Sequence, residues 1–110
     1  MNFKELKRLD LSYNDISDIK VLGKVKFVQL ESLNLSNNKI SDINILEKVS
    51  FKSLNCLDLS FNEISDIKVL AKVKFDKLML LNIAKNKINK NEYSSLINIL
   101  KSKILCFFLK

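Results

Sequence analysis

The chain has 110 residues, 47% apolar and 28% charged, with a single glycine (Gly23) and no proline. That length supports one domain with a modest core, and so little Gly and Pro excludes a loop-rich or disordered chain. Nineteen basic residues against twelve acidic give a formal net charge of +7, and there is no histidine. Every catalytic or metal arrangement built on imidazole is thereby removed, while the charge favours acidic partners without specifying one.

The first unit starts at Phe3. Leu9 and Leu11 alternate with polar residues, the period of a strand with one buried face. Asn14 stands where the chain leaves that strand. Its amide can bond the open backbone groups of a turn and reach a neighbouring unit. In Ser17-Asp18-Ile19-Lys20-Val21-Leu22 the period changes. Ser17 or Asp18 offers an oxygen to cap a short helix, and Val21, Leu22 and Val25 are expected on one face of it. The same text then restarts every 24 residues, at Phe27, Phe51 and Phe75. Leu33 and Leu35, Leu57 and Leu59, Leu81 and Ile83 repeat the strand, and Asn38, Asn62 and Asn86 repeat the turn. Ser41-Asp42 and Ser65-Asp66 repeat the cap. The fourth unit keeps the pattern to Ile88 and then departs from it. Tyr93, Leu96, Ile97 and Leu100 are spaced for an amphipathic helix, Lys101-Ser102-Lys103 breaks it, and Ile104 to Leu109 reads as a last strand.

No unit of this kind buries its leucines alone. Stacked units bury them in one continuous core, with the strands in a parallel sheet. We read residues 1–110 as one domain, with about four repeats over 3–88 and a C-terminal capping helix and strand over 89–110. The fold class expected is α/β, a solenoid with short helices opposite the sheet. The string Leu-x-x-Leu-x-Leu-x-x-Asn-x-Ile, present in every unit with Ile83 as the third leucine's counterpart in the fourth, resembles the leucine-rich-repeat family. The further Ile-x-x-Leu-x-x-Val is most similar to the type found in the nuclear regulatory subunit of protein phosphatase 1. That type usually repeats at 22 residues; this chain has two more, with Phe27, Phe51 and Phe75 in the added stretch. The resemblance implies a right-handed superhelix that binds other proteins through a concave parallel sheet.

The inventory gives no catalytic set. One glycine cannot form a phosphate-cradling loop. Asp18, Asp42 and Asp66 recur at helix starts, where an acid caps the helix and suits its dipole, and not as an acid–base pair. Cys56 and Cys106 are too few for a disulfide framework. Cys56 lies at an outward strand position without a cationic cluster to activate it, and Cys106 is expected in the core. No metal or cofactor is expected, and the chain is read as a non-enzyme.

The candidate protein-binding face lies at the outward strand positions. One row is Arg8, Ser32, Cys56 and Leu80, and the next is Asp10, Asn34, Asp58 and Asn82. A third, just past the strands, is Tyr13, Asn37, Phe61 and Lys85, and between them run Ser12, Ser36, Ser60 and Ala84. Tyr13 and Phe61 offer aromatic anchors, although rings beside the Asn turn are expected, by a small margin, to pack on neighbouring units. The alternative is an electrostatic binder of acidic protein, anionic lipid or nucleic acid. It would use the lysine ladders Lys20 and Lys68, Lys24, Lys48 and Lys72, and Lys26 and Lys74 on the helical side. A third reading is a structural fragment of a longer array. The partner expected is another protein, with no specific nucleic acid and no membrane span. Self-association through an uncapped first repeat, where Phe3, Leu6, Leu9 and Leu11 have no preceding unit, is also expected. The lack of an apolar leader and the two cysteines suggest a cytoplasmic location.

Overall fold

Five strands form one parallel sheet in sequence order in the computed structural model, which describes residues 3–100 and 106–108. They are β1 (Arg8–Asp10), β2 (Ser32–Asn34), β3 (Cys56–Asp58), β4 (Leu80–Asn82) and β5 (Cys106–Phe108). The register follows the 24-residue repeat without a slip. Leu9 pairs with Leu33, Leu33 with Leu57, and Leu57 with Leu81. Because side chains alternate across a strand, this register puts every central leucine on the same face.

The units therefore stack as coils around a shared interior. Leu33, Leu35, Leu57, Leu59 and Leu81 are wholly buried. Backbone bonds tie coil to coil beyond the strands: Leu11 N–H donates to the Asn34 carbonyl and Leu35 N–H to that of Asp58, each at 2.8 Å. The phenylalanines of the added stretch form a spine. Phe27, Phe51 and Phe75 are buried, and Phe51 stacks on Phe75 with ring centres 6.2 Å apart.

Opposite the sheet lie three 3-10 helices, Lys20–Lys24, Asn44–Lys48 and Lys68–Ala71. The expectation that Val21 shares a buried face with Leu22 and Val25 is wrong, since Val21 is 62% exposed. A 3-10 helix has three residues per turn, so its inward stripe falls at Ile19, Leu22 and Val25. The later stripes, Ile43, Leu46 and Val49, then Ile67, Leu70 and Val73, are buried throughout. The expected cap is displaced by one residue: Ile19, Ile43 and Ile67 hold the N-cap positions without a side-chain cap bond. From the residue before them, Asp18 Oδ1 accepts the Lys20 N–H at 2.9 Å, as Asp42 and Asp66 do for Asn44 and Lys68.

After the fourth coil the chain forms α1 (Lys90–Leu100), with Leu96 and Leu100 buried and Tyr93 partly so. This helix packs on the third 3-10 helix. There it covers Val69, which is 5% exposed although it occupies the repeat position of Val21. Beyond α1, β5 extends the sheet beside β4. The expected break at Lys101-Ser102-Lys103, the ends of the last strand and the burial of Cys106 lie outside the described residues.

Candidate functional site

The sheet register assembles the outward rows that the repeat marks out. Arg8, Ser32, Cys56 and Leu80 are successive partners across β1 to β4, and Asp10, Asn34, Asp58 and Asn82 form the parallel row two residues on. Arg8 and Asp10 are exposed and the other six half-buried. The serine row departs from expectation, because Ser36 and Ser60 are buried. The chain turns immediately after each strand, and the preceding side chain closes the turn over the serine. Asp10 Oδ1 accepts the Ser12 N–H at 2.9 Å and the Ser12 hydroxyl at 2.6 Å, and Asp58 holds Ser60 in the same way. The Ser12 hydroxyl, then its N–H, hold the Asp10 carboxyl below its usual range despite a small opposing effect of burial.

The next residue in each coil is left-handed. Tyr13, Asn37, Phe61 and Lys85 all have φ between 55° and 59°, a region that non-glycine residues rarely visit. The fixed Asn beside them explains how the turn is held. Asn38 is buried, and its Nδ2 donates to the carbonyls of Leu35 and Ser36 in its own coil and of Leu11 in the coil before. Its Oδ1 accepts the Ile16 N–H at 3.0 Å. Asn62 repeats these contacts one coil on, reaching Leu35 and Ile40. The coil-to-coil role expected of these amides is thus met through backbone groups and not through Asn–Asn bonds.

The left-handed turn swings its side chain to the rim of the sheet. Tyr13 is 79% exposed and Phe61 52%, so the expectation that these rings pack on neighbouring coils is overturned. With Asn37 between them and Lys85 beyond, they border a shallow depression of about 580 Å³ that also takes in Asp15 and Lys39. The signal that sequence reading missed was the turn conformation, which a Tyr or Phe does not advertise as a glycine would.

Cys56 sits in the middle of the face as a free thiol. Burial pushes its pKa up, a hydrogen bond with Ser32 offsets part of that, and the Asp58 carboxylate pushes it up again. A shift in that direction lowers the share of thiolate, the nucleophilic form. Among the described residues no group of three or more Cys, Asp or Glu is placed to hold a metal ion, and no helix is long and apolar enough to cross a membrane.

Comparison with known proteins agrees with the coil geometry. The family profile described as Leucine Rich repeats (2 copies) matches residues 4–48 and again 28–72, together more than half of the chain. No curated protein matches. Among solved structures, the chain is similar to an internalin from Listeria monocytogenes, at 22% identity and a TM-score of 0.53. The match takes in 97% of this chain but only 42% of the internalin's length, and at that identity it speaks for the fold alone.

Proposed function

The chain belongs to the leucine-rich repeat family, and on that premise we propose that it is a non-catalytic module that binds another protein on the outward face of its sheet. The observation that carries this reading is the pair Tyr13 and Phe61. In a chain whose repeat covers most large apolar side chains, these two stand in solvent at one rim, on left-handed turns bridged by the asparagine that follows each, exposed Asn14 and buried Asn62. Aromatic residues held rigidly bring large contact area at a small entropic cost, and they are over-represented among the anchors of interfaces. The floor beside them is small and polar, with both charge signs present, which suits hydrogen bonding to a partner's backbone or side chains.

The face is narrow. Five strands at about 4.8 Å spacing give a width of roughly 20 Å, modest beside the ~800 Å² per partner of a standard interface. The binding energy must therefore concentrate in few residues. Capture of a partner, followed by titration calorimetry with the purified pair, tests this. The Tyr13→Ser/Phe61→Ser double variant is expected to lose roughly 30-fold in affinity or more, about the 2 kcal/mol of a hot spot. Retention of full affinity would remove the rim from the site.

A second reading concerns the open side of the first coil. Leu9 and Leu11 are only partly covered there, Phe3 is 40% exposed, and β1 has no strand on its outer side among the described residues. We take this side as the contact through which two copies associate, with a two-fold pairing that hides both apolar ends together. A cytoplasmic location fits the two-cysteine composition.

A further inference from the structure

The two long flanks of the stack handle charge in opposite ways. On the flank beside the Asn turns, one repeat position reads Asp15, Lys39, Glu63, Lys87. Successive coils thus alternate in sign, and they pair: Lys39 meets Asp15 at 3.6 Å and Lys87 meets Glu63 at 3.4 Å. On the opposite flank, where the chain leaves the 3-10 helices, the same 24-residue spacing stacks Lys24, Lys48 and Lys72. Lys26, Lys52 and Lys74 stand close by, all exposed, and none has an acid within ion-pair distance among the described residues.

Stacked like charges are destabilising, where an alternating pair is stabilising. The fold therefore gains nothing from this arrangement. Helix ends favour a cation and so account in part for Lys24 and Lys48, which close their 3-10 helices. They do not account for Lys26, Lys52 or Lys74, which lie beyond any helix.

The flank is also grooved. A groove of about 310 Å³ runs between the first and second coils, with Val25, Phe27 and Val28 as its apolar lining and Lys26, Lys48 and Lys52 at its rim. A second, of about 350 Å³, lies between the second and third coils, with Val49 and Phe51 lining it; Lys48, Lys52, Lys72 and Lys74 at its rim outnumber the two carboxylates there, Glu47 and Asp76. The two share Lys48, Ser50 and Lys52 as a dividing ridge. We propose that this flank binds an extended acidic segment of a partner protein, with carboxylates on the lysine rims and an apolar side chain in each groove. An extended chain places alternate side chains about 6.6 Å apart, so a short stretch crosses both grooves and presents one chemistry to the rims and another to the floors. A second copy of this chain would bring its own excess of basic residues against the lysine rims, which disfavours it on this flank. A bilayer surface would touch the rims and leave the grooves empty. A nucleic-acid strand wants exposed aromatic platforms, and here Phe27 and Phe51 are buried beneath the lysines.

The site is independent of the sheet face, and the test keeps the two apart. Fluorescence anisotropy of a labelled peptide of about eight residues, alternating glutamate and valine, is measured with the full chain at ~0.15 M salt. Binding is expected, and the Lys26→Gln/Lys48→Gln/Lys74→Gln variant should weaken it roughly tenfold or more. The Lys39→Gln/Lys87→Gln variant, on the paired flank, and the Tyr13→Ser/Phe61→Ser variant should change it less than about twofold. A peptide with glutamine in place of glutamate should not bind, which tests the charge without altering the protein. The proposal is overturned by no binding, by equal losses from both lysine sets, or by tighter binding of either phosphatidylserine-containing vesicles or an oligothymidylate.

Discussion

Leu9 and Leu11 in the first coil and Leu33 and Leu35 in the second are the same residues at the same repeat positions, yet the first pair is partly exposed and the second wholly buried. The same holds for the amides. Asn38 spans two coils with four hydrogen bonds, whereas Asn14 makes two, both within its own turn, and is exposed. Phe3 and Phe27 make the same point, one 40% exposed and the other 3%. What a residue contributes in this molecule is decided by the coil beside it and only secondarily by its own identity, as expected of an array stabilised by nearest-neighbour interfaces.

The comparison is broken most directly in the leucine row. Leu57→Ala in the third coil should cost about 2–5 kcal/mol through lost burial and a residual cavity, and Leu9→Ala well under half of that. Thermal melting followed by far-UV circular dichroism separates the two, and equal midpoints would refute the neighbour-controlled account. Next in size are the amides. Asn38→Ala strips partners from the Leu11 carbonyl, two further carbonyls and the Ile16 N–H, and should cost roughly 2–3 kcal/mol, against less than ~1 kcal/mol for Asn14→Ala. Urea denaturation of both variants checks this.

A smaller effect is expected from the open side of the first coil. Sedimentation velocity should show association growing with protein concentration and with added salt, which screens the net positive charge. Leu9→Lys should abolish it while Val28→Lys, at an exposed position on the return side, should not. A strictly monomeric native protein at high concentration would contradict the two-copy reading. The smallest effect sharpens the comparison from outside the stack. Lys24 and Lys48 are exposed in both coils, so Lys24→Gln and Lys48→Gln should agree within about 0.5 kcal/mol.

The parts of this molecule that were legible in the sequence are those set by period. The leucine pairs specified the strands, the spacing of 24 specified their register, and the outward rows of the sheet followed from alternation alone. The Ile19, Leu22, Val25 spacing of three also carried the 3-10 stripe, but a helix of 3.6 residues per turn is the commoner expectation, and it misplaced Val21. The rim was not legible for a different reason. A left-handed turn announces itself through glycine or asparagine, and of the four residues that adopt it here only Asn37 gives that signal, while Tyr13, Phe61 and Lys85 do not. Their conformation is imposed by the asparagine that follows each of them, whose bonds to the turn and, from the second coil onward, to the preceding coil only the three-dimensional stack reveals.

The sheet face is the centre of the functional account, and photo-crosslinking addresses it most directly. Benzoylphenylalanine is placed in turn at Ser32, in the outward strand row, and at Asn44, on the 3-10 helix behind the same coil. Irradiation in native extract should give a discrete protein adduct from Ser32, lost when Tyr13 and Phe61 are both changed to serine, and none from Asn44. An adduct from Asn44 with Ser32 silent would place the partner on the other side of the solenoid and contradict the assignment.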